Sequence, residues 1–373
     1  MVDRPRVAVV AGARPNFVKV APLIKSLEGS VRVDLIHTGQ HYDRAMSKTF
    51  FEDLGIFEPD VNLGVGSGSH AEQTAGVLVT MEKRLSEVPV DVLVVVGDVN
   101  STLASALAAV KLRIPVAHVE AGLRSGDWSM PEEINRVVTD RLSTWLFTPS
   151  EDADANLLAE GAPADRIHRV GNVMIDTLLS QLPAARSRSE TLTRSLGIEE
   201  DYALLTLHRP SNVDDWTTLT EITEAIRQIS KRVLVVFPMH PRTRGRIADL
   251  GIRLPDRVLA LDPLGYNDFL ALMASARLVL TDSGGIQEET SVLGIPCVTL
   301  RESTERPVTC SLGTNTLAGT AAPNIVSASL AAMERSWKPA QIPLWDGKSS
   351  ERVADVLVKD LLGQEMKEAQ AGS

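Results

Sequence analysis

The chain is poor in the residues that mark several large protein classes. It has two cysteines in 373 residues, Cys297 and Cys310, and neither lies in a CxxC pair. That excludes a disulfide scaffold and points to a reducing compartment. Aromatic residues make up only 4%, too few for a surface that stacks bases. Positive charge is in deficit as well, with 38 Lys+Arg against 48 Asp+Glu and a net charge of -10. Nucleic acid and acidic membranes are therefore poor partners, although local cations can still hold an anionic small ligand. No apolar run approaches the roughly 20 residues a membrane helix needs. The opening, MVDRPRVAVVAGARP, enters a strand directly, with no secretory leader. A soluble, cytoplasmic protein is expected.

What is present is apolar and rhythmic. Hydrophobic residues reach 44%, and a chain of this length favours two domains. Strand-like runs at Arg6–Ala11, Val31–His37, Val92–Val96 and Val116–Glu120 alternate with helix-like stretches at Val18–Leu27, Ala71–Leu85 and Leu103–Lys111. The rhythm slackens near Val170-Gly171-Asn172. It resumes with runs at Ala203–Leu207, Val233–Phe237, Val258–Leu261, Arg277–Thr281 and Cys297–Leu300. Fully apolar strands separated by helices mean parallel sheets covered on both faces. The class is α/β, with two Rossmann-like halves facing one cleft between domains. Residues 1–170 with a returning C-terminal helix near 352–373 form the first, and 171–351 the second. No internal repeat is present, and the tail after Gln364 is expected to fray.

Ligands of open parallel sheets bind beyond the carboxyl ends of the strands. The residues there are Gly12-Ala13-Arg14-Pro15, His37-Thr38-Gly39-Gln40-His41, Gly97-Asp98-Val99-Asn100 and Glu120-Ala121-Gly122-Leu123-Arg124 in the first half. In the second they are His208-Arg209, His240-Pro241-Arg242 and Asp282-Ser283-Gly284-Gly285. The stretch TDSGGIQEE (281–289) reads as a strand, a small-residue turn and a helix start. Such a helix N-terminus suits a phosphate, yet it carries no lysine and is followed by Glu288 and Glu289.

Eight segments in one order, GARPNFVKVAPL, TGQHYD, GDVNSTLA, HVEAGLRS, PEEINR, TLHRPSN, TDSGGIQEE and ESTERP, closely resemble the non-hydrolysing UDP-N-acetylglucosamine 2-epimerases. The resemblance covers about residues 5 to 360. It implies the two-domain GT-B fold. It also implies interconversion of UDP-N-acetylglucosamine and UDP-N-acetylmannosamine, a homodimer, and no metal or nicotinamide.

That reaction makes two demands. The C2 hydrogen has no adjacent carbonyl, so C2 must lose its proton as the C1–O bond breaks, giving UDP and a 2-acetamidoglucal. The departing diphosphate needs charge stabilisation, and both faces of the sugar need proton-transfer groups. Asp98, Glu120 and Glu132 match the family's acidic residues at the sugar. Plainer readings exist: an N-cap for Asp98, and a glutamate favoured by the helix dipole for Glu132. Clustered carboxylates can raise one another's pKa. Arg14, Lys19, His208 and Arg306 match the family's cationic residues near the nucleotide. Ser283, Gly284 and Gly285 offer a hydroxyl and close backbone approach to the diphosphate. Glu289 matches the acid that holds the ribose hydroxyls, and Glu288 reads as a solvated helix residue. A backbone contact near Phe269 is expected for the base. His118 shares a strand face with Glu120 and is possible support.

The sequence departs from the pattern in places. Some bacterial members carry QHRE and a regulatory UDP-N-acetylglucosamine site, where this chain has Gln40-His41-Tyr42-Asp43. Arg14-Pro15 replaces the Arg-Ala-Asp of hydrolysing relatives, which favours the reversible enzyme. Alternatives are an epimerase of a modified sugar such as a UDP-2,3-diacetamido-hexuronic acid, a GT-B glycosyltransferase, and an inactive nucleotide-sugar-binding regulator. Fold alone does not separate them.

Overall fold

The structure, a computed structural model, describes residues 4–12, 14–39, 55–66 and 68–371, with side chains beginning at 16 in the first helix and ending at 363 in the last. The chain divides into two compact units, Met1–Thr177 with Pro343–Ser373, and Leu178–Ile342.

Among the described residues the first unit has seven strands, β1 (Arg6–Ala11), β2 (Arg32–His37), β3 (Val61–Asn62), β4 (Val92–Val96), β5 (Val116–Val119), β6 (Trp145–Thr148) and β7 (Ile167–Arg169). Their order is β3-β2-β1-β4-β5-β6-β7, and the pairings are parallel. Every residue of β4 and β5 is buried, the signature of strands covered on both faces. The helices are α1 (Arg14–Leu27), α2 (His70–Glu87), α3 (Asn100–Lys111), α4 (Pro131–Leu142), α5 (Glu151–Ala159) and α6 (Val173–Ser195). Ser69 caps α2, accepting from Glu72 N–H while the Glu72 side chain accepts from Ser69 N–H. Pro131 opens α4, where its fixed φ fits and its missing N–H costs nothing.

The second unit has six strands, β8 (Tyr202–Thr206), β9 (Leu234–Pro238), β10 (Val258–Leu261), β11 (Leu278–Thr281), β12 (Cys297–Thr299) and β13 (Asn315–Leu317). Their order is β10-β9-β8-β11-β12-β13, again parallel. Its helices are α7 (Pro210–Val213), α8 (Trp216–Ile229), α9 (Pro241–Asp249), α10 (Tyr266–Ser275), α11 (Gly284–Leu293), α12 (Pro307–Ser311) and α13 (Ala322–Glu334). Leu219, Ile222, Ile226 and Ile229 repeat at helical spacing along α8 and join the core beneath β8 and β9. The last helix, α14 (Ser349–Ala371), returns to the first unit. Asp176 accepts the Ser349 and Ser350 amides at 3.1 and 2.6 Å, holding the start of α14.

Three readings change. β5 stops at Val119, and Glu120 lies beyond it at φ 72°. The unit boundary falls within α6 rather than near Gly171, because a 23-residue helix runs where the rhythm slackens. The final helix runs past Gln364 to Ala371, in keeping with the helix-favouring Glu, Lys, Ala and Gln of that stretch. Among the described residues no helix is long and apolar enough to cross a membrane.

Candidate active site

In the first unit the chemistry gathers at the ends of β4 and β5. Val96 pairs with Val119, so Gly97-Asp98 and Glu120 leave the sheet side by side. Glu120 is 4% exposed and accepts from Lys19 Nζ at 2.5 Å through Oε2. Its other oxygen, Oε1, has no hydrogen-bond partner among the described residues. A left-handed glutamate costs roughly 1–2 kcal/mol, which the surrounding bonds must offset. Gly97 is left-handed too (φ 73°), and a Cβ there would lie 3.2 Å from Lys19 Nζ and 3.3 Å from Glu120 Oε2. A larger residue would therefore crowd the ion pair itself. Asn16 donates to the Val96 carbonyl at 3.1 Å and ties α1 to the same strand end.

Asp98 is not an N-cap. Val99 takes that position in α3, and no side chain caps the helix. Asp98 Oδ2 instead accepts from Arg136 Nη1 at 2.5 Å, and its carbonyl accepts from Asn135 at 2.9 Å. Arg136 is 1% exposed and also donates to Glu133 Oε2 at 2.8 Å. Glu133 accepts from the Ser125 and Gly126 amides as well. Burial pushes its carboxyl up, but these donors hold it below the usual range. Glu133 thus anchors the 125–126 loop. Glu132, one helical turn before Arg136, is half-buried and makes no ion pair among the described residues. Arg14 opens α1, but its side chain lies outside the described residues, as do Gln40–Asp43.

In the second unit the ends of β8 and β11 form a matching cluster. The fully buried Asp282 accepts from His208 Nδ1 at 2.9 Å, from the His208 amide at 3.0 Å and from the Arg209 amide at 2.8 Å. Burial pushes the Asp282 carboxyl up, yet His208 and those amides bring it below the usual range. The imidazole is half exposed, so Asp282 sets the orientation of a ring that reaches solvent. Ser283 is the N-cap residue of α11 without a side-chain capping bond, and Gly284 and Gly285 form its first turn. A Cβ on Gly284 would meet Arg306 Nη1 at 2.5 Å and Glu305 Oε1 at 2.7 Å.

Arg306 is buried, donating to Glu288 Oε1 at 2.6 Å and Glu305 Oε1 at 2.5 Å. Glu288 is therefore not a solvated helix residue; it is 1% exposed, because a partner 18 residues on gives its charge somewhere to go. Glu305 also takes Arg301 at 2.7 Å and Arg209 at 3.5 Å. Burial pushes Glu305 up, but the arginines hold it well below the usual carboxylate range. Glu289 is buried and accepts from the Tyr266 hydroxyl at 2.8 Å. Burial moves it up to about 7, with Tyr266 opposing and the charge of Glu288 adding. The Phe269 amide donates to the Gly265 carbonyl at 2.9 Å within α10, so that amide is already committed and does not reach a base.

Sequence reasoning placed Asp282 at a strand end without giving it a role, and missed Arg136, Glu305 and Tyr266. Asp282 offered a signal, since it follows β11 directly. Arg136 offered a weaker one, four residues after Glu132 on the same helix face.

The family profile described as UDP-N-acetylglucosamine 2-epimerase matches residues 25–358. The UDP-N-acetylglucosamine 2-epimerase of Methanocaldococcus jannaschii is 43% identical over 364 residues, covering 94% of this chain and 98% of that protein. The UDP-2,3-diacetamido-2,3-dideoxy-D-glucuronate 2-epimerase of Pseudomonas aeruginosa is 42% identical over 360 residues, covering 95% and 99%. The crystal structure of the Methanocaldococcus jannaschii enzyme in complex with UDP-GlcNAc and UDP superposes with a TM-score of 0.88 at 42% identity, over 95% of this chain and 99% of that one. The fold is that of two GT-B-like parallel-sheet units.

Proposed function

The chain belongs to the UDP-N-acetylglucosamine 2-epimerase family, a family of isomerases, and from that premise we propose that it interconverts UDP-N-acetylglucosamine and UDP-N-acetylmannosamine. The observation that carries this reading is the pair of acidic strand ends, Asp98 and Glu120, each held by one cation. In the proposed step a base takes the C2 proton. The C–H electron pair becomes the C1=C2 bond of a 2-acetamidoglucal, and the C1–O pair leaves with UDP. Reversal delivers a proton to the opposite face of C2 and reforms the C1–O bond. Glu120 suits proton transfer because one of its oxygens is engaged by Lys19 and the other is uncommitted. Asp98 and Glu132 are the further candidates for the two faces.

The second unit meets the other demand. His208, oriented by Asp282, and the start of α11 at Ser283, Gly284 and Gly285 suit the diphosphate. Glu289 suits the ribose hydroxyls. Arg14, Lys19 and Arg306 complete the proposed set, with the Arg306 charge shared between Glu288 and Glu305. Phe269 enters through its side chain or carbonyl, its amide being used. Family membership supports a homodimer, and the two free thiols support a reducing, cytoplasmic location.

Incubation with UDP-N-acetylglucosamine in deuterated water, followed by NMR, tests the reading. Deuterium at C2 in both epimers is the expected result. Free N-acetylmannosamine with UDP would place the protein with hydrolysing relatives, and no exchange overturns the assignment. The likeness to the diacetamido-glucuronate enzyme favours one second reading: exchange at C2 of that sugar nucleotide and not of UDP-N-acetylglucosamine would establish it.

A further inference from the structure

Glu120 is bracketed by a buried network that the reaction as described does not use. His118, two residues before it, is 0% exposed. Its Nε2 lies 2.9 Å from the Gly97 carbonyl and its Nδ1 lies 2.6 Å from Asp140 Oδ1. Asp140 Oδ2 accepts from the amide of Gly122, two residues after Glu120, at 3.1 Å, and from Arg124 at 2.7 Å. One carboxylate on α4 therefore grips the chain on both sides of Glu120. The ring it holds reaches across to the neighbouring strand end, one residue before Asp98.

The valences are informative. A backbone carbonyl only accepts hydrogen bonds. Burial pushes Asp140 up, but His118 and Arg124 hold it below the usual carboxylate range, so it accepts too. His118 Nε2 therefore donates to the Gly97 carbonyl, and Nδ1 pairs with Asp140. The ladder supplies little of this restraint, because β4 and β5 end at Val96 and Val119 and both chains then turn left-handed. The last backbone bond between them is from Gly97 N–H to the Val119 carbonyl, 3.1 Å.

We propose that His118, held by Asp140, is a positioning residue for the epimerisation: it clamps the Gly97 carbonyl and so fixes the spacing between Asp98 and Glu120. This rests on the proposed function. The network touches neither the sugar nor the diphosphate residues named above, and its effect passes through the two carboxylates.

The test compares wild type, His118→Asn and Asp140→Asn in initial-rate kinetics with UDP-N-acetylglucosamine, alongside side-chain 15N NMR of the wild type. Loss of the clamp should lower kcat about 100-fold in His118→Asn, as small misplacements of reacting groups do, with KM changed less than ~3-fold. Asp140→Asn keeps the ring and the volume, and serves if the histidine variant does not fold; its kcat should fall about 10-fold or more. A core-filling role instead predicts a lower Tm with kcat per folded molecule unchanged, and that result overturns the proposal. So does a wild-type His118 spectrum in which Nε2 carries no proton. A wild-type protein that moves no C2 hydrogen sinks the functional reading instead, and the spectrum still judges the clamp.

Discussion

Both units end their central strands in clusters of carboxylates and cations, and the strand-end carboxylates are wired differently. In the first unit each strand-end carboxylate has one cationic partner: Lys19 for Glu120, Arg136 for Asp98. Oxygen lone pairs are left over, at Glu120 Oε1 and on Glu132. In the second unit the carboxylates are shared: Asp282 takes a ring nitrogen and two amides, and Glu305 takes three arginines. Proton transfer needs an oxygen with room for a hydrogen. Anion binding needs donors that are already aimed and need not reorganise. On the proposed function, the difference in wiring is a division of labour, with acid–base capacity in one unit and fixed donors in the other.

The sharpest way to break that comparison is at Glu120. Glu120→Gln keeps the shape and the contact with Lys19 but removes the basic oxygen. Exchange of the C2 hydrogen into deuterated water should fall by roughly 100- to 10,000-fold, the usual worth of a general acid or base, while UDP still binds. Retained exchange would make the Lys19–Glu120 pair a mere ion pair and erase the contrast between the units.

A smaller effect is expected at Gly284. Its substitution by alanine places a methyl 2.5 Å from Arg306 Nη1 and 2.7 Å from Glu305 Oε1. The shared network has to move, since three arginines converge on that carboxylate. Overpacking of this kind costs about 1–3 kcal/mol, visible as a lower Tm, and UDP affinity should weaken with it. An unchanged Tm and UDP affinity would show that the second cluster is looser than its wiring implies.

These clusters also mark where sequence reading succeeds and fails. Strand ends were legible because buried parallel strands are apolar throughout and polar residues appear where they stop; Asp98, Glu120, His208 and Ser283 all stood out this way. Partners distant in the chain were not. Arg136 meets Asp98 across 38 residues, and Arg306 meets Glu288 across 18. No local period announces such bonds. Adjacent acids misled for the same reason: Glu133 and Glu288, each beside the acid singled out, are both buried by arginines. α6 escaped because the slackened rhythm near Gly171 read as a joint, while 23 residues of helix run on from Val173.

The smallest expected effect is a pH dependence confined to the second unit. Glu289 lies at about 7 in the folded protein, raised first by burial, against an unfolded value near 4.3. A raised carboxyl makes its full contribution to stability below the unfolded value, and loses it as pH climbs through 7. The unliganded protein should therefore lose some stability between about pH 4.5 and 7.5 through this group. Ligand binding runs the other way. Ribose hydroxyls donate to the carboxylate form, so UDP-N-acetylglucosamine should bind up to about 10-fold more tightly at pH 8 than at pH 6, following the ionised fraction. Titration calorimetry on the Glu120→Gln variant measures this without turnover. Glu289→Gln should flatten the profile. A wild-type slope that falls with pH, or one that persists in Glu289→Gln, would remove the ribose role from Glu289 and leave the diphosphate end as the seat of the pH response.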